Sequence, residues 1–195
     1  LRLIFVTNNQ HKVDEIRSIL VGTFELITLQ DAGIEIDIPE PYNTLEENAT
    51  GKSEAIFKMT GINCFSEDTG LEVNALNGEP GVKSARYAGD SRSFDRNIEK
   101  LLINLSDKPD RTARFRTIIS LILDGKETLF EGICEGTIIK KRRGSHGFGY
   151  DSVFVPIGST KTFAEMSMNE KTQYSHRAKA TEKLVTFLNN YITKD

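Results

Sequence analysis

The chain has 195 residues, a formal charge of −3, 38% hydrophobic and 27% charged residues, which is ordinary for a globular protein able to bury a core without staples. No apolar run approaches the ~18 residues of a membrane span; the longest, "IISLIL" at 118–123, is strand-sized. The small negative charge argues against bulk nucleic-acid binding.

In chain order, "RLIFV" reads as a short strand, "TNNQHK" as a polar loop, and Val13, Ile16, Ile19 and Leu20 as one face of a helix with Gly22 as its stop. Strand, loop and helix open an α/β unit. "FELITL" at 24–29 predicts a second strand, and the prolines of "IPEPY" an extended loop around Glu40. Thr44 and Glu47 have capping-box spacing for a helix ending at Gly61, with Leu45, Asn48, Ala49, Lys52, Ile56 and Met59 on one face. Gly51 inside that helix costs about 1 kcal/mol against alanine, which points to close packing.

"CFSEDTGLEV" predicts a strand that ends at Glu67 and Asp68, followed by a tight turn at Gly70. "FDRNIEKLLINL" at 94–105 is an amphipathic helix with Phe94, Ile98, Leu101, Leu102 and Leu105 inward. Asp124-Gly125 between two strand-like runs signals a hairpin. "GFGYDSVFVP" leads from glycines into another strand, and "SHRAKATEKLVTFLNNYI" closes with a helix burying Ala178, Leu184, Val185 and Leu188. The expected architecture is one α/β domain over residues 1–195, with a mixed sheet containing long antiparallel strands. The opening "LRLIFVTNN" lacks a signal peptide's apolar core, and Cys64 and Cys134 fall in strand-like runs. Both thiols are therefore expected reduced and buried, in a cytoplasmic protein.

Charge is unevenly spread. Residues 1–70 hold 12 acids against 5 Lys/Arg, while 140–183 hold 9 Lys/Arg against 4 acids, a pattern suited to a metal-bound polyanion or simply to solvated faces of opposite sign. The "TNNQHK" loop offers backbone N–H groups at a helix start and the mobile charge of Lys12, although an ordinary strand–helix connection would look the same. Lys52 stands on an apolar helix face, either snorkelling from its edge or held near a phosphate. Adjacent acids Glu67 and Asp68 alternate in direction, so one of them faces any given site; Asp68 with Glu40 could supply oxygen ligands to Mg²⁺, or both acids could be exposed turn residues. Phe148 or Tyr150 could stack on a base while Asp151 accepts from a ring N–H. His176 and Arg177 sit just after a candidate N-cap, Ser175, where the helix dipole disfavours cations.

Taken together, "VTNNQHK", "LEENATGK", "SEDTGLEV", "EPGVKSARYAG", "GFGYDSVF", "FAEMS" and "SHRAKA" resemble the inosine triphosphate pyrophosphatase family, in the family's order and across residues 6–180. The resemblance implies an elongated α/β fold of two lobes with a central cleft, a homodimer, and Mg²⁺-dependent cleavage of ITP, dITP and XTP to monophosphate and pyrophosphate. By motif match it places Thr7, Asn8, Asn9, Gln10, His11 and Lys12 in a phosphate-side loop, Lys52 on the phosphates, Asp68 as the catalytic acid and Thr69 on substrate. Glu40 and Asp68 match metal ligands, and Phe148, Gly149, Tyr150, Asp151, Lys171, His176 and Arg177 match nucleobase-binding positions. His176 and Arg177 would donate to the 6-oxo group that adenine lacks. Three departures stand out: Glu67-Asp68-Thr69 where the bacterial pattern more often has Asp-Asp-Ser, Asn8 where glycine is frequent, and His146 near a position often small. Competing readings are a pyrophosphatase of related fold acting on modified pyrimidine nucleotides or dTTP, and a non-catalytic nucleotide or single-stranded RNA binding module. The expected partner is a small nucleotide, with no stable nucleic acid and no membrane.

Overall fold

A computed structural model describes residues 1–20 and 24–193. In the first strand, β1 (Arg2–Val6), Leu3 and Phe5 join one buried cluster while Ile4 and Val6 join another. A strand turns successive side chains to opposite faces, so a strand this apolar is covered on both sides. Its neighbours β2 (Glu25–Thr28) and β3 (Cys64–Val73) both pair with it in parallel. Parallel neighbours need crossovers, which α1 (Gln10–Ile19) and α2 (Leu45–Thr60) supply. The remaining strands are β4 (Pro80–Gly81), antiparallel to β3, the hairpin of β5 (Thr112–Leu123) and β6 (Lys126–Ile138), and β7 (Phe154–Pro156), antiparallel to β6. The strand order is β2-β1-β3-β5-β6-β7, with β4 on β3. With α3 (Phe94–Asn104), α4 (Met168–Thr172) and α5 (His176–Ile192), this is the expected α/β class with a mixed sheet. Among the described residues, no helix is long and apolar enough to cross a membrane.

The chain divides into two compact units, and β3, β5 and β6 contribute residues to both. The first unit comprises 1–68, 117–132 and 177–195. On one face of its strands, Val13 and Ile16 of α1 and Leu184 and Leu188 of α5 pack with Phe5 and Phe65, whose rings stack 4.6 Å apart. On the other face, Ile56 of α2 packs with Ile4, Val6 and Cys64. The second unit comprises 69–116 and 133–176. Its core is aromatic: Phe115, Phe154 and Phe163 pack with Ile98 and Leu101 of α3. Cys64 and Cys134 are free and buried, and burial pushes the Cys64 thiol up to about 12.

Local chemistry accounts for the element ends. Asn9 caps α1 by accepting from His11 N–H, and Thr44 caps α2 by accepting from Glu47 N–H. Gly61 closes α2 in the left-handed conformation that glycine adopts without a Cβ penalty. Asp124 and Gly125 both have positive φ, as a two-residue primed hairpin turn requires.

Several expectations need correction. β3 does not stop at Glu67-Asp68; it runs on through Thr69 and Gly70 to Val73. Gly70 makes no turn: a Cβ there would lie 2.7 Å from the Gly81 carbonyl, so glycine is needed for the close approach of β4. Met59 and Phe94, placed inward by helical spacing, are 53% and 42% exposed. Met59 lies at the C-terminal end of α2, and Phe94, the first residue of α3, faces Phe148 with ring centres 6.1 Å apart. The helix stop expected at Gly22 lies outside the described residues.

Candidate active site

Within the first unit, α1 and α5 cover one face of β3 and α2 the other, so the pleat sorts the two acids. Glu67 turns to the α1/α5 face, where Lys12 Nζ lies 2.9 Å from its Oε1. There Arg177 also takes it in a fork, Nε to Oε2 at 2.7 Å and Nη2 to Oε1 at 2.9 Å, while Arg177 Nη1 reaches Glu15. Asp68 turns to the α2 face and meets Lys52 Nζ at 3.2 Å. The same ammonium donates to Glu40 Oε1 at 2.6 Å and to the Glu67 carbonyl at 2.8 Å. One nitrogen thus gathers two carboxylates from segments far apart in the chain.

These charges are nearly dry: Lys52 is 7%, Glu67 1%, Asp68 8% and Arg177 2% exposed. The snorkelling and exposed-turn readings of Lys52, Glu67 and Asp68 are therefore set aside. Burial favours neutral forms, and only close opposite charge reverses that. Burial alone would raise the Glu67 carboxyl, but Arg177 and Lys12 hold it well below the usual carboxylate range. Burial would likewise lower Arg177, yet Glu67 and Glu15 keep its value above that of a free guanidinium. Asp68 differs: burial pushes it up, against the pull of Lys52 and Lys12 and with the like charge of Glu40 adding to the rise. Lys52 is raised, because Asp68 and Glu40 outweigh its own desolvation.

Thr7 to Lys12 form the β1–α1 connection. Thr7 Oγ1 accepts from Asn9 N–H, Asn8 Nδ2 donates to the Ile36 carbonyl, and Gln10 and His11 are exposed at the start of α1. The first turn of α1 carries no acid; its His11 N–H donates to the Asn9 side chain and its Lys12 N–H to the Asn9 carbonyl.

The second unit gathers the other expected residues. Lys171 Nζ donates to Asp151 Oδ2 at 2.6 Å, and the same oxygen accepts the Phe148 N–H at 3.0 Å. That ammonium lies 5.4 Å from the Phe148 ring centre, within cation–π range. Gly149 adopts positive φ in this loop, and Tyr150 is buried with its hydroxyl donating to the Ser84 carbonyl. His176 stacks on Phe115 with ring centres 4.6 Å apart. Thr69 is half-buried on β3, next in sequence to Asp68.

The first unit brings together Lys12, Glu40, Lys52 and Asp68, with Arg177 at Glu67; the second brings together Phe148, Asp151 and Lys171. Arg177 belongs to the first unit and His176 to the second, and the Arg177 guanidinium pairs with Glu67 and Glu15 in the core. Sequence reasoning missed Glu15 and the bracing role of Glu67. The spacing of Lys12 and Glu15, three apart on one helix face, was the available signal.

The donor set suits a hard divalent cation. Among the described residues no three or more His, Cys, Asp or Glu groups converge as a metal site. Glu40 and Asp68 do converge on one cationic point, and Mg²⁺ uses one or two carboxylates when substrate phosphates complete its shell.

The sequence model of the Ham1 family matches residues 3–187. The dITP/XTP pyrophosphatase of Porphyromonas gingivalis is 53% identical over 188 residues, 96% of this chain and 97% of that protein. The protein of the same name from Flavobacterium psychrophilum is 47% identical over 190 residues, 97% of this chain and all of that one. The solved Ham1 protein of Staphylococcus aureus superposes with a TM-score of 0.89 at 39% identity, covering 98% of this chain and 100% of that one. These matches agree with the resemblance carried by the seven motifs.

Proposed function

Because the chain belongs to the Ham1 family, it is a nucleoside triphosphate pyrophosphatase that hydrolyses non-standard purine nucleotides, and we propose that it does so on ITP, dITP and XTP with Mg²⁺ held by Glu40 and Asp68. The observation that carries this reading is the single Lys52 ammonium gripped by both carboxylates, a dry cationic point between hard oxygen donors.

In this reading the α1 N-terminus and Lys12 receive the triphosphate, and Lys52 exchanges carboxylate contacts for phosphate oxygens. When bound, Mg²⁺ supplies neutralisation of the charge that grows on the departing pyrophosphate. Asp68 orients a water in line with the α-phosphorus and accepts its proton. The new P–O bond forms to the water oxygen as the bridging bond between α-phosphorus and pyrophosphate breaks, its electron pair leaving with pyrophosphate. Glu67 holds Lys12 in place, and Arg177 with Glu15 holds Glu67.

Phe148 takes the purine by stacking, with Lys171 and Asp151 fixing its loop; Thr69 contacts the nucleotide, and His176 donates toward the 6-oxo position. We take the working form to be one two-lobed domain, homodimeric and cytoplasmic. Buried thiols outside any disulfide suit a reducing compartment. Sedimentation giving the mass of a single chain would refute the dimer.

Pyrophosphate release from ITP, XTP, dTTP and GTP, each with and without Mg²⁺, tests the whole reading. Release from ITP and XTP only when Mg²⁺ is present is expected; equal turnover of dTTP, or turnover with the metal chelated, contradicts it.

A further inference from the structure

Glu40 sits in a segment, residues 35–43, that forms neither helix nor strand, yet its carboxylate must arrive within 2.6 Å of Lys52. What aims it is visible two residues on. Asn48, 2% exposed, uses its amide as a clamp on the Tyr42 backbone: Oδ1 accepts the Tyr42 N–H at 3.0 Å and Nδ2 donates to the Tyr42 carbonyl at 3.2 Å.

The link from Tyr42 to Glu40 is short and stiff. Pro41 has a locked φ, and Glu40, as a residue before proline, is confined to extended backbone. Pro39 fixes the other side in the same way. Holding Tyr42 therefore holds the Glu40 Cα with little slack. A second contact acts on the same residue: the Tyr42 ring edge lies over Gly51, where an added Cβ would come within 3.0 Å of Cε2. Asn48, Gly51 and Lys52 stand at i, i+3 and i+4, so one face of α2 presents the clamp, the seat for the ring and the ammonium together.

We propose that Asn48 is a positioning residue for the metal carboxylate: by clamping Tyr42 it sets where Glu40 delivers its oxygen, with Gly51 keeping that seat open. This rests on the reading of Glu40 as a metal ligand. The glycine inside α2 leaves room for that ring, which a Cβ would force to shift by a few tenths of an ångström.

The test measures Mn²⁺ binding to the enzyme loaded with a non-hydrolysable ITP analogue by paramagnetic resonance, corrected for Mn²⁺ held by the analogue alone, with thermal unfolding in parallel. Asn48→Ala should weaken Mn²⁺ binding about tenfold, in the range found for groups that orient a ligand from behind. Glu40→Gln should weaken it at least as much, and the double variant should bind no more weakly than Glu40→Gln alone, because Asn48 acts only through that carboxylate. Gly51→Ala should weaken binding several-fold with no loss of thermal midpoint, since alanine favours the helix. That second variant decides the matter if Asn48→Ala does not fold. Wild-type affinity in Asn48→Ala and Gly51→Ala beside a loss in Glu40→Gln overturns the proposal and leaves Glu40 a ligand. Fully additive losses in the double variant overturn it too. Wild-type affinity in Glu40→Gln overturns the metal reading itself.

Discussion

The two units solve the problem of burying charge in opposite ways. In the first, three cations and four carboxylates interlock around β3: Lys12, Lys52 and Arg177 against Glu15, Glu40, Glu67 and Asp68. In the second, one buried pair, Lys171 and Asp151, is wrapped by the rings of Phe148 and Phe163. A dense network of fixed charge suits a polyanionic, metal-bound ligand, whose own charges replace the internal partners. A single pair under aromatic rings suits a flat, neutral one. The division of labour proposed for triphosphate and purine follows from that contrast.

The sharpest way to break the contrast is to remove the proton acceptor from the charged unit. Asp68→Asn should lower pyrophosphate release from ITP by about 10³-fold, typical of losing a positioned general base, with the far-ultraviolet circular dichroism unchanged. Residual activity near wild type would mean that the chemistry lies elsewhere.

Stability should separate the braces from the ligand groups. Arg177→Met leaves Glu67 and Glu15 buried without their main partner and should cost about 3–5 kcal/mol by urea unfolding. Adding Glu67→Gln should recover part of that loss, because one stranded charge is gone. A loss below about 1 kcal/mol for Arg177→Met would make the fork incidental.

Acid should act through the same residue. Glu67 titrates lower in the folded chain than its ordinary 4.5, so its contribution is complete above that pH and drains away as pH falls below it. Between pH 6 and 3 the unfolding free energy of the wild type should therefore drop more steeply than that of Glu67→Gln, the gap between them closing toward pH 3. Parallel curves would show that Glu67 is not held ionised by Arg177 and Lys12.

In the aromatic unit, Phe148→Leu should raise KM for ITP about tenfold and leave kcat within about twofold, as expected for the loss of a stacking contact of ~1–3 kcal/mol. A fall in kcat with KM unchanged would move Phe148 from binding to chemistry.

What the sequence made legible was local. The apolar run "RLIFV", the Thr44 and Gly61 signals at the ends of α2, and Asp124-Gly125 in the hairpin are settled by neighbours a few residues away. The acids of β3 were legible as a site but not as a structure. Whether Glu67 and Asp68 end a strand or sit inside one depends on β4, which pairs with the residues just beyond them, and on Arg177, 110 residues away. Glu15 drew no reading from the sequence, because the guanidinium that gives it a buried partner comes from α5, 162 residues away. Asn48 read as part of an apolar stripe because its two bonds go to backbone, which no side-chain pattern records. Met59 and Phe94 fit their helical spacing, and spacing alone does not reveal where the covered surface stops.

The account depends on Glu40 and Asp68 giving up Lys52 to a divalent cation when the nucleotide binds. The direct measurement is a crystal structure with Mn²⁺ and a non-hydrolysable ITP analogue, located by anomalous scattering. One Mn²⁺ peak within coordination distance of both carboxylates, with the Lys52 ammonium moved onto phosphate oxygens, is the predicted result. A bound analogue with Lys52 still bridging Glu40 and Asp68, and the metal peak elsewhere, would contradict it.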